Sequence, residues 1–104
     1  MLKIKKIMKE TLENGGCTPT VQGRYIVGLE EDGEIFNMEH TSSIQKCISR
    51  FINSGITFGT WLHDKKIYID KNIQVNDLEE AIKIGRENHQ IAIYDYKEHK
   101  EITL

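Results

Sequence analysis

Three times along the chain the apolar residues change from a helical repeat to strict alternation about a tight turn. This switching constrains the fold more than any single motif. The clearest turn lies in "GTWLHDKKIYID", residues 59–70. Turning at Asp64-Lys65, or through a four-residue loop from His63 to Lys66, sets Leu62 opposite Ile67 and Thr60 opposite Ile69. Trp61 and Tyr68 then share the other face. A sheet whose aliphatic residues take one side and whose aromatics take the opposite side needs an explanation for the aromatics.

The remaining segments follow the same grammar. In residues 2–14, Ile4, Ile7, Met8, Thr11 and Leu12 form one helical stripe, and Gly15-Gly16 supply a stop. The stretch "RYIVGLEEDGEIFNM" reads as a hairpin turning at Asp32-Gly33, with Leu29 facing Phe36 and Val27 facing Met38. Ser42 and Gln45 have capping-box spacing. Ile44, Cys47, Ile48, Phe51 and Ile52 continue the helix to Asn53, before Gly55. Asn76 is the expected cap of a third helix reaching Asn88, with Leu78, Ala81, Ile82 and Gly85 on one side and Glu79 and Glu80 in its first turn. The end, "IAIYDYKEHKEITL", reads as a hairpin with a loop from Lys97 to Lys100, pairing Ile93 with Leu104 and Asp95 with Ile102.

Three amphipathic helices alternating with three hairpins predict an α+β fold, an antiparallel sheet packed against helices. A length of 104 residues suits a single domain spanning 1–104. Fourteen Lys and Arg against sixteen Asp and Glu leave a formal charge of -2, too little for a global field that draws in nucleic acid or a membrane. "MLKIKKIMK" interleaves Lys with apolar residues and resembles neither a secretion signal nor a span, so a cytoplasmic protein without a membrane partner is expected.

Side chains with catalytic potential form no recognisable set. His40, His63, His89 and His99 have no metal-ligand spacing, and Cys17 and Cys47 form no CxxC pair. Cys47 falls on the buried stripe of the second helix. Cys17 reads as an exposed thiol in a loop. No glycine pattern cradles a phosphate. The expectation is a non-enzymatic protein with no metal and no cofactor.

Binding surfaces are easier to nominate. Tyr94 and Tyr96 fall opposite Ile93 and Leu104, as Trp61 and Tyr68 fall opposite Leu62 and Ile67, and Gly59, Asp70, Glu101 and Thr103 share the aromatic side. A helix packed over this side would make the aromatics core. Left open, it would dock a protein, since Trp and Tyr concentrate binding energy, or pair with a second copy as a homodimer. A stacking platform for single-stranded nucleic acid would need cations beside it, whereas Lys65, Lys66, Lys97 and Lys100 are confined to turns. Glu30, Glu31, Asp32 and Glu34 form a second, acidic candidate surface. The alternative reading makes Lys3, Lys5, Lys6 and Lys9 of the first helix phosphate contacts of a small nucleic-acid-binding factor.

The stretches "TLENGGCT", "GTWLHDKKIYID" and "DLEEAIKIGRENHQIAIYD" resemble a group of small proteins carried by phages and conjugative elements of Gram-positive bacteria. Phe36 to Gly55 does not contribute to the likeness. The resemblance implies a mobile-element accessory protein whose partner is a bacterial host protein, a nuclease of a defence system being one such target. It assigns no functional residue.

Overall fold

The computed structural model describes residues 3–29 and 33–104. The elements are α1 (Ile4–Asn14), β1 (Gly16–Cys17), β2 (Tyr25–Gly28), β3 (Glu34–Asn37), α2 (Thr41–Asn53), β4 (Phe58–His63), β5 (Lys66–Val75), α3 (Leu78–Glu87), β6 (Ala92–Asp95) and β7 (Lys100–Thr103). All strand pairs are antiparallel, so the architecture is the α+β class that the alternating periods predict. The chain groups into two compact units, and β5 contributes to both, as far as Lys71 in the first and from Asn72 in the second.

In the first unit the strand order is β1-β4-β5-β3. Asp64 and Lys65 both take positive φ, 52° and 61°, which closes the β4–β5 hairpin in two residues and fixes Leu62 opposite Ile67 and Thr60 opposite Ile69. One face of these strands presents Phe58, Ile67 and Ile69 to Ile7 and Met8 of α1 and Ile44, Cys47, Ile48 and Phe51 of α2. Phe51 and Phe58 meet edge to face at 5.6 Å. The buried threonine pair in this packing is satisfied: Thr11 Oγ1 donates to the Ile7 carbonyl at 2.7 Å and hydrogen-bonds Thr60 Oγ1. Gly15 ends α1 at φ 86° and donates to the Thr11 carbonyl. Gly16 then begins β1, where a Cβ would lie 2.9 Å from the Thr60 carbonyl oxygen.

In the second unit β5, β2, β6 and β7 lie side by side, and α3 covers one face. Val27, Ile93 and Tyr25 pack against Ala81, with Val75, Ile82, Ile102 and Leu104 at the margin. Gly85 is the close approach of helix to sheet: a Cβ there would meet Leu104 Cδ1 at 2.6 Å and Ile93 Cγ2 at 3.0 Å. Arg24 and Asp95, 71 residues apart, form a two-pronged ion pair at 3.0 and 2.9 Å. Asp95 Oδ1 also accepts from the Lys97 and Glu98 backbone amides, so one buried carboxylate ties the β6–β7 turn to the start of β2.

Several local expectations are corrected. β2 and β3 are strands but do not pair with each other. Both edges of β2 are taken, by β5 and β6, so Val27 faces Ile73 instead of Met38, and β3 pairs with β5. The Asp32-Gly33 turn falls partly outside the described residues. The loop between β6 and β7 starts one residue earlier than expected, placing Ile93 opposite Ile102 and Asp95 opposite Lys100. A two-residue slide leaves every side chain on its expected face. Asp77, not Asn76, caps α3 by accepting from the Glu79 amide, because Asn76 Oδ1 accepts from the Arg24 amide. α2 starts at Thr41 without a side-chain cap, so the Ser42–Gln45 box is not used. Cys17 is buried in β1 instead of exposed.

Candidate functional site

The hairpin that buries Ile67 and Ile69 must turn Tyr68 and Asp70 the other way, because successive side chains on a strand alternate. Register then assembles a row across four strands. Tyr68 sits opposite Trp61 on β4 and opposite Ile35 on β3, and Trp61 sits opposite Gly16 on β1. Trp61 is 55% exposed and Ile35 58%, with Tyr68 half-buried between them. The Trp61 and Tyr68 ring centroids are 5.9 Å apart, and Trp61 also lies edge-on to His63 at 6.2 Å. Both helices of this unit pack on the opposite face, against Phe58, Ile67 and Ile69. The aromatics are therefore not this unit's core.

The row has different neighbours on its two sides. One flanking row holds Asn37, Lys66 and His63, and the other contains Asp70 opposite Gly59. The sequence pattern had already put Gly59 and Asp70 with the aromatics. Ile35 was missed. Its signal is its alternation with Phe36, legible only once β3 is known to pair with β5.

The other nominated residues fall elsewhere. In the second unit Tyr94 is half-buried, and Tyr96 lies in the β6–β7 turn, 37% exposed and 6.2 Å from Tyr94 and 5.3 Å from His99 by ring centroid. The Glu34 carboxylate is turned to Cys47 and Arg50, accepting from the Cys47 thiol at 3.0 Å and pairing with the Arg50 guanidinium. Those partners, the thiol first, hold it below its ordinary pKa. Glu30, Glu31 and Asp32 lie outside the described residues. Lys3, Lys5, Lys6 and Lys9 are all exposed, at the start of α1 or along it.

Neither thiol is poised for nucleophilic chemistry. Burial first, then a hydrogen bond to a glutamate, pushes both Cys17 and Cys47 up to about 12. Cys17 Sγ donates to Glu10 at 3.2 Å, as Cys47 does to Glu34. Both stay protonated at neutral pH. Among the described residues no three His, Cys, Asp or Glu side chains converge as a metal site would require. No helix among them is long and apolar enough to cross a membrane.

The most chemically distinctive surface of the first unit is thus an uncovered row of Ile35, Tyr68 and Trp61 between a polar and an acidic margin. No protein-family model, curated protein or solved structure matches the chain.

Proposed function

We propose that the protein acts by docking onto a bacterial protein through the Ile35–Tyr68–Trp61 face. One observation carries the reading: two large apolar side chains, each more than half exposed, flank a tyrosine on the sheet face opposite the helices. Keeping that surface in water is unfavourable by about 25 cal/mol per Å² of apolar area, a free energy that association recovers. Trp and Tyr are also the residues on which interface energy concentrates. A stable interface covers on the order of 800 Å² per partner, so the row is its centre and Asn37, His63, Lys66 and Asp70 belong to its rim.

The phage and mobile-element resemblance supports a host protein as the partner, and a defence nuclease is the target class it favours. The test is affinity capture from a low-GC Gram-positive lysate, with and without nuclease, using the native chain, Trp61→Ala and Ile35→Thr. The reading expects a stoichiometric protein that survives nuclease and is lost from both variants. Retention by both folded variants would refute the face. Retained nucleic acid that nuclease or higher salt removes would instead favour the lysines of α1.

A further inference from the structure

Asp70 lies one row from the Tyr68–Trp61 pair, and both of its cross-strand neighbours are glycines. β4 sets Gly59 opposite it, and the β3 register, continued one residue before Glu34, sets Gly33 on its other side. A Cβ on Gly33 would stand 2.5 Å from Asp70 Oδ1, so the missing side chain is what lets the carboxylate lie there. The carboxylate therefore lies over Gly33 on the β3 side, one row from Tyr68 on its own strand. Tyr68 and Asp70 are two residues apart on one strand, about 6.6 Å, which a guanidinium stacked on a ring can bridge.

The Asp70 carboxylate is partly buried, and among the described residues it has no hydrogen-bond or ion-pair partner. Burial alone raises its pKa. Asp95, by contrast, has Arg24, and Glu34 has Arg50. A desolvated carboxylate without a counter-charge is unfavourable in the free protein. A cation brought by a partner would relieve that. Lys66 stands on the opposite side of the aromatic row and favours cation entry on the Asp70 side.

We propose that the Asp70 carboxylate receives an arginine side chain of the docked protein, its guanidinium stacked on Tyr68 and forked onto both carboxylate oxygens. The inference rests on the docking reading and specifies the partner's chemistry. Arginine fits because one planar cation stacks on an aromatic face while donating two parallel hydrogen bonds; an ammonium cannot do both.

The probe is N-acetylarginine amide, titrated into the full chain and followed by Trp61 emission and backbone amide shifts. N-acetylcitrulline amide and N-acetyllysine amide serve as controls. The arginine derivative should shift Gly59, Trp61, Tyr68 and Asp70 and bind roughly tenfold tighter than its neutral citrulline isostere. Asp70→Asn should abolish that preference while unfolding at a higher temperature than the native chain. Equal binding of arginine and citrulline derivatives, tighter binding of the lysine derivative, or an unchanged preference in Asp70→Asn would overturn the inference. In partner capture, loss from Trp61→Ala with retention by Asp70→Asn overturns the arginine but leaves the docking face standing. Retention by both removes the face as well.

Discussion

Removing the largest side chain of the β4–β5 hairpin should destabilise the protein less than removing a smaller one on the opposite face. Ile69 is fully buried between the helices and the sheet. Ile69→Ala deletes three carbons, worth about 2.4 kcal/mol of transfer at about 0.8 each, and leaves a cavity, so the total falls within about 2 to 5 kcal/mol. Trp61→Ala deletes far more, yet the indole is 55% exposed and its ring contacts are with Tyr68 across the strands and His63 along its own. Such pairs contribute about 0.2 to 1 kcal/mol. Urea titration followed by circular dichroism reads both. With a slope of roughly 1 to 3 kcal/mol per molar, Ile69→Ala lowers the midpoint by about 1 M or more, and Trp61→Ala by a fraction of that. Should Ile69→Ala fail to fold, Ile69→Val, costing about 0.5 to 1.5 kcal/mol for a single methyl, should still cost more per carbon removed than Trp61→Ala. A Trp61→Ala loss as large as that of Ile69→Ala would refute the assignment of faces.

The other predictions concern the remaining polar and close-packed positions. The Arg24 ion pair, then the backbone amides, lower Asp95 to about 2, below its value in the unfolded chain. Its stabilisation is therefore complete above about pH 4 and is lost as pH falls toward 2. Asp95→Asn should flatten the dependence of the urea midpoint between pH 5 and 2; an unchanged slope would count against the pair. Gly85→Ala gains about 1 kcal/mol of helix propensity but drives a methyl into Ile93 and Leu104, where overpacking costs about 1 to 3 kcal/mol. Thermal melts should show a net loss, and a gain would mean that the α3 contact is looser than described. Cys17 and Cys47 should resist iodoacetamide in the native protein and react on unfolding, as read by mass spectrometry; rapid native labelling would contradict their burial.

What could be read from the sequence was what neighbouring residues decide. Asp64-Lys65 fixes its hairpin within two residues, so the pairings of Leu62, Thr60 and Trp61 follow from alternation alone. The α2 stripe of Ile44, Cys47, Ile48 and Phe51 is likewise local. β2 was misassigned because its true partners come from distant parts of the chain, and alternation carries no information about which edge meets which. Asn76 and Asp77 are both competent caps; the choice is made by the Arg24 amide, which engages Asn76. The extension of β5 to Val75 was hidden by "KNIQV", where Gln74 accepts from the Gln22 and Gly23 amides. β1 is two residues long, too short to show a period, so the burial of Cys17 left no trace. The aromatic row was half legible. Alternation put Trp61, Tyr68 and Asp70 together, but whether a helix covers them is decided by packing.

Trp61 is the sole tryptophan, so its fluorescence reports directly on the openness of the docking face. Emission and iodide quenching would be measured on the native chain across a dilution series. Red-shifted emission, readily quenched and independent of concentration, is the predicted result. Blue-shifted, quencher-resistant emission that persists on dilution would contradict the account, because the face would then be covered within the chain itself.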